Sequence, residues 1–371
     1  MVSADTIRAY TYTNINVNYL IKNGWRKWVN RNDGTGTVSY FKKDKHLLFW
    51  YFPQGILLIK FSIPKFFYGT NTKVFDLDNA GLVIKLINHR IKRLFPSSSS
   101  IVPFENWACS EIHPFIHLHA DNVKDKFTYL ECFKKLYYPR LKKHTYPMGI
   151  QARNKSRSIN IYSKSDEIIF RVNNKPSTVS VEDLSINNIE NVIRFEYQVK
   201  KRSLKYCFKN NRKVKDVLRK DFCQNMLLEV MKNSGLNNPF LYKKETISKI
   251  KKEFSKVKAR NLIEFITDFN EKPEDYINAK YPKKTQSNYL RILKGRNINP
   301  VFLPDKVNKK IDFTNFEEPT KSNTQFSLFK IFLLIALLKM CNALRKSYYI
   351  KPVALSSIFT AEAYFHEDGG G

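Results

Sequence analysis

Short apolar runs broken by glycine and proline dominate the first part of the chain. Residues 37–41, 47–52 and 56–61 are such runs, and each predicts a strand. Between residues 77 and 94 the spacing changes to that of a helix. Leu82, Ile84, Leu86, Ile87, Ile91 and Leu94 are its apolar positions, and Pro96 with the serines after it ends it as a loop. Further strands are predicted over 115–120, 158–163 and 192–199, with a helix over about 127–137 closed by Pro139. This β-α-β-α-β-β order predicts an α+β fold, an antiparallel sheet with helices on one face.

Past about residue 200 the pattern becomes helical and cationic. Residues 201–220 read as a basic helical stretch. Residues 244–270 read as a second charged helix, with Ile247, Ile250, Phe254, Val257 and Ile263 among its apolar positions. Tyr281-Pro282-Lys283-Lys284-Thr285 begins a third basic segment. The predicted organisation is a sheet domain over 1–205, a basic helical domain over 206–325, and an apolar helix and tail over 326–371. The apolar run at 326–344 is interrupted by Lys330, Lys339 and Asn342, which predicts a buried or partner-facing helix rather than a membrane span. No internal repeat is legible.

Charge narrows the function classes. Across 371 residues, 64 Lys and Arg stand against 33 Asp and Glu, a formal charge of +31. A folded chain repels itself at that charge unless a polyanion is near, and nucleic acid is the first candidate, ahead of an anionic membrane. An AT-rich genome would also raise the lysine count. Five scattered cysteines with no C-x-x-C pair predict reduced thiols in a cytoplasm and no structural zinc site. The start, Met1-Val2-Ser3-Ala4-Asp5, does not read as a signal peptide.

Three segments carry candidate chemistry. In 158–164, an extended strand would put Ser158, Asn160, Tyr162 and Lys164 on its polar face. A phenol beside a fixed ammonium can attack a phosphodiester, since the cation favours phenolate and stabilises charge on phosphate oxygens. The plainer alternative is an edge strand with a solvated Tyr and Lys. In Ile116-His117-Leu118-His119-Ala120-Asp121, the two imidazoles share one strand face and can bind a divalent cation, or they are surface histidines. In 192–200, Arg194, Glu196, Gln198 and Lys200 share a face. Glu196 is either an ion-paired surface group or the oxygen ligand completing a metal site, for which Mg²⁺ or Mn²⁺ is suited.

Taken together, four ordered blocks resemble the replication initiators of filamentous bacteriophages and related plasmids, the gene II/X family of rolling-circle nicking-joining enzymes, within the HUH-like superfamily. Residues 59–71 look like the family's S-x-P-K-x-x-x-G-x-N segment. Residues 116–121 fall where it has an R-I-D strand. Residues 153–167 look like its S-R-x-x-x-x-Y-x-K-x-x-E block, and 193–204 like its R-F-E-x-x-x-K-x-x-x-L-K block. Order and spacing agree over about residues 55–210.

The resemblance implies a Rep-like nicking domain, with Tyr162 as nucleophile and Lys164 as its partner. It implies a divalent metal, Mg²⁺ or Mn²⁺, held by His117, His119 and Glu196, with Asp121 as alternative ligand. His117 and His119 stand where the family has Arg and Asp. Lys65, Arg153, Lys155, Arg157, Arg194, Lys200, Lys201 and Arg202 are expected to contact DNA. The implied activity is metal-dependent nicking of one strand at a replicon origin through a 5′-phosphotyrosine, then religation. Implied partners are origin duplex and single strand, with a host helicase and polymerase, in the cytoplasm of a bacterial host. No small-molecule substrate and no membrane partner is expected. A non-catalytic nucleic-acid binder, such as a replication repressor, is the alternative.

Overall fold

The computed structural model describes residues 1–29, 37–96, 100–174, 189–209, 212–304 and 307. Strand β1 (Ser3–Tyr12) is followed by α1 (Val17–Lys22), then by β2 (Arg26–Val29), β3 (Val38–Asp44), β4 (Leu47–Phe52) and β5 (Ile56–Ser62). Helices α2 (Ile63–Tyr68) and α3 (Ala80–Leu94) come next. The chain then repeats the scheme. Strand β6 (Ala108–His119) leads into α4 (Val123–Lys135), β7 (Lys142–Tyr146), β8 (Gly149–Arg153) and β9 (Arg157–Ser163). Helix α5 (Lys164–Asn174) intervenes before β10 (Val192–Lys200) and α6 (Lys201–Phe208).

The ten strands of the described residues form one antiparallel sheet in the order β2-β3-β4-β5-β1-β6-β10-β9-β8-β7. Read outward from the central β1–β6 pair, both halves have the same strand order. The α+β expectation holds. The duplication is topological and leaves no trace in the residue pattern.

Alternation sorts the two faces. In β4, Leu47, Phe49 and Tyr51 are buried in the core while Leu48, Trp50 and Phe52 are half-buried on the opposite side. One core joins sheet residues such as Ile7, Ile112, Ile161 and Phe195 to Val83 and Ile87 of α3 and to Leu130 and Phe133 of α4. The next two helices, α7 (Val214–Val217) and α8 (Lys220–Ser234), belong to that core through Val217, Cys223 and Leu227, as does Leu204 of α6.

A second core forms from α9 (Lys243–Glu253), α10 (Lys256–Glu271), α11 (Glu274–Lys280) and α12 (Lys283–Lys294) around Ile250, Leu262, Phe265, Ile277 and Leu293. This second core begins after α8, while Leu236, Phe240, Val301, Leu303 and Val307 belong to the first. The helix expected over 244–270 is two helices, with Phe254 and Ser255 between them. The chain divides into units 1–317 and 318–371, and the apolar run at 326–344 lies outside the described residues. Among the described residues no helix is long and apolar enough to cross a membrane.

Candidate active site on the polar face of the sheet

A bulge in β1 sets up the site. Ala4 pairs with Pro114 and Ile7 with Ile112, so Asp5 and Thr6 share His113 as their opposite residue. The extra residue lets Ala4 and Ile7 both face the core while Asp5 lies with the polar side chains. Thr6 donates to Asp5 Oδ2 at 2.8 Å, and the Ser62 hydroxyl donates to Asp5 Oδ1 at 3.3 Å. Ser62 also caps α2, where Pro64 sits in the first turn and Gly69 closes the helix at φ 79°.

Asp5, His113 and Glu196 are all buried, and one ligand atom from each lies within 4.8 Å of the others. His113 Nε2 is 2.7 Å from Glu111 Oε1, and Nδ1 is 3.4 Å from Glu196 Oε1. Burial alone would push this imidazole down, but hydrogen bonds to Glu111 and Glu196 outweigh it and hold the pKa up at about 9. Burial acts upward on Glu196, yet His113, Arg194 and Gln198 hold it down at about 2. Gln198 Nε2 donates to Glu196 at 2.9 Å and Asn160 Nδ2 at 3.2 Å. Two carboxylates and one imidazole are a donor set suited to Mn²⁺ or Mg²⁺. Binding an ion there would require His113 to release its proton.

Arg194 is the pivot beside that group. Its side chain is fully buried and lies over the Phe115 ring at 4.0 Å. It donates to Asp5 Oδ1 at 3.3 Å, to the Asn71 carbonyl at 2.5 Å and to His117 Nε2 at 3.1 Å. His117 is thereby an acceptor, and burial together with Arg194 and Lys164 keeps its pKa well below the usual histidine range. Across the next strand, Tyr162 pairs with Arg194. Burial pushes the Tyr162 phenol well above its ordinary value, and Arg194 pulls the other way. On its far side Tyr162 pairs with Gly149. A methyl group on Gly149 would stand 2.7 Å from Tyr162 Cα and Cβ, so a side chain there would displace this strand.

Lys164 does not continue the strand. It opens α5, and its buried amine donates to Glu167 at 2.8 Å and to Asn71 Oδ1 at 3.0 Å. Burial and Arg194 lower its pKa to about 8 against the pull of Glu167. Arg171 reaches the same Glu167 at 2.6 Å and the same Asn71 Oδ1 at 3.3 Å.

No protein-family model and no curated protein matches this chain. Among solved structures it is similar to Methanococcus jannaschii TBP, at 10% identity and a TM-score of 0.26, over 58% of this chain and 97% of that one. A likeness that slight carries no argument.

The four sequence blocks meet on this face. The first contributes Ser62 and Asn71, the second His117, the third Tyr162, Lys164 and Glu167, and the fourth Arg194 and Glu196. The metal group differs from the expected set. Glu196 is in it, but Asp5 and His113 stand where His117 and His119 were expected. His117 is held by Arg194, and His119 is exposed at the end of β6. Asp121 lies exposed beyond the strand. The H-x-H spacing is real, but the bulge in β1 brings a carboxylate to His113 instead.

Of the cations expected on DNA, Arg153, Lys155, Lys201 and Arg202 are exposed, and Lys65, Arg157 and Lys200 are half-buried. Arg194 is a correction: it is enclosed by Asp5, Asn71 and His117 and offers no surface to a duplex. Sequence reading also missed Asp5, Glu111 and Gly149. His113, four residues before His117, was not singled out either.

Proposed function

We propose that the chain nicks one strand of DNA at a replicon origin with Tyr162 and later rejoins it, as a rolling-circle replication initiator. The observation that carries this reading is the convergence of the four blocks around Tyr162. Residues as distant in sequence as Ser62, Asn71, Tyr162 and Glu196 share one electrostatic network, built from Arg194 outward.

The Tyr162 oxygen attacks a backbone phosphorus, the bond from phosphorus to the 3′ oxygen breaks, and a 3′-hydroxyl leaves. A 5′-phosphotyrosine link then holds the strand until the 3′-hydroxyl of the displaced strand attacks it and frees Tyr162. Arg194 opposite the tyrosine works against the burial that holds the phenol protonated. Lys164, with its pKa lowered to about 8, is the candidate acceptor of the phenolic proton once it has released its own, from about pH 8 upward. A divalent cation held by Asp5, His113 and Glu196 would supply Lewis-acid polarisation of the scissile phosphate. The exposed cations hold DNA through phosphates, so binding weakens steeply with salt.

The test is a covalent protein–oligonucleotide band that survives a denaturing gel with Mn²⁺ present. Wild type gives the band, while Tyr162→Phe binds the same DNA and gives none. A band from Tyr162→Phe removes Tyr162 from the role, and no band from wild type leaves a non-catalytic binder.

A further inference from the structure

The first half of the sheet has an aromatic and cationic face that the nicking chemistry does not use. Register places its side chains in rows across the strands. One row runs Phe41, Trp50, Leu58, Tyr10. Beside it, Phe52 and Tyr12 flank Ile56. The row on the other side runs Lys43, Leu48, Lys60, Arg8. Trp28 stands on the edge strand opposite Ser39, in register with the same face.

These groups are accessible. Tyr12 is 69% and Trp28 50% exposed, and Phe41, Trp50, Phe52, Lys60 and Arg8 are half-buried. Of the four tryptophans, Trp25 and Trp107 are buried, and the other two share this face. The only acid in β2–β5 is Asp44, which alternation puts on the other side from Lys43. Arg8 Nε is buried with no hydrogen-bond partner; Glu111 stands opposite Arg8 in register and is engaged by His113 at 2.7 Å. Arg212 donates to the Tyr10 hydroxyl at 2.8 Å, and Lys201 lies 5.8 Å from the centre of the same ring.

We infer that this face is a stacking platform for single-stranded DNA, leading across β1 to the candidate site. Aromatic rings on a sheet offer planes to unpaired bases, and the flanking cations match a phosphate backbone. A duplex keeps its bases stacked inside and could not use the rings. An apolar protein partner would not call for the row of Lys43, Lys60 and Arg8. The choice of DNA rests on the nicking reading; the platform itself does not.

The experiment uses the full chain with Tyr162→Phe, in EDTA, so that binding is read without cleavage. The probe is an oligothymidylate of about 16 nucleotides. It is expected to quench tryptophan fluorescence on binding. Trp50→Ala and Trp28→Ala each weaken binding roughly 5- to 100-fold, whereas Trp50→Phe retains most of the affinity. Trp28 is too exposed for its loss to unfold the core. Lys60→Ala lowers the salt dependence by about one phosphate contact. The platform is refuted by absent quenching, by indifference to both tryptophan variants, or by equal quenching from a duplex of the same length. Loss of the covalent adduct with quenching intact would overturn only the nicking reading.

Discussion

Between β4 and β5 the chain turns through Pro53-Gln54-Gly55, whereas the same step in the second half, between β9 and β10, carries α5 and residues 175–191. That insertion supplies Lys164, Glu167 and Arg171, which with Asn71 tie down the site around Tyr162 and Arg194. Without it, the first half keeps Trp50, Phe52 and Lys60 accessible. One strand order thus supports two surfaces, and this connection together with the bulge in β1 makes the difference. The chemistry of a sheet face follows from what its connections bring to it more than from the strands themselves.

The two halves differ most at two arginines. Arg194 is enclosed and ion-paired to Asp5, while Arg8 is half-buried with its Nε unpaired. Arg194→Met should lower the unfolding free energy by roughly 3–5 kcal/mol, since it strands a buried carboxylate. Arg8→Met should change it by about 1 kcal/mol or less while weakening oligothymidylate binding. Urea denaturation of both variants measures this. Equal costs would mean that the two halves are not differently built.

The second half should also be the pH-sensitive one. The His113 imidazole ordinarily titrates at 6.5 and is held at about 9 in the fold. Its contribution is complete below pH 6.5 and is lost as pH rises through about 9, for up to about 3 kcal/mol. On the acid side Glu196, shifted from 4.5 to about 2, contributes above pH 4.5 and loses its contribution as pH falls through about 2. Urea midpoints of metal-free protein across this range should fall at both ends, and His113→Gln should flatten the alkaline limb. An unchanged alkaline limb in that variant would move the cause elsewhere.

The smallest effect separates two ligand sets. His119 is exposed, so His119→Ala should alter stability by about 0.5 kcal/mol at most and leave stabilisation by Mn²⁺ in place. Removal of His113 or Asp5 should abolish the Mn²⁺ effect in a thermal melt. The opposite pattern would return the ion to the H-x-H pair.

Much of this was legible in the residues. Apolar runs marked β3, β4 and β5, helical spacing marked residues 77–94, and an antiparallel α+β sheet followed from the order of elements. Tyr162, Lys164, Arg194 and Glu196 were each visible in a block with local spacing. Strand β1 was not anticipated, although it is central, because Ser3-Ala4-Asp5-Thr6 has small and polar residues where a buried strand usually shows branched apolar ones. The duplicated topology was hidden because strand order is a pairing relation, and the two halves need no common residues to share it.

What the sequence determined, then, is whatever rests on local period and composition: the elements, the cationic balance, and the residues able to act on a phosphodiester. Which of those residues meet is set by strand pairing in the folded sheet. A one-residue bulge chose His113 and Asp5, and register put Tyr162 opposite Arg194. Such choices depend on pairings across 32 residues, between Tyr162 and Arg194, and across 110 residues, between Ala4 and Pro114, which no local window along the chain contains.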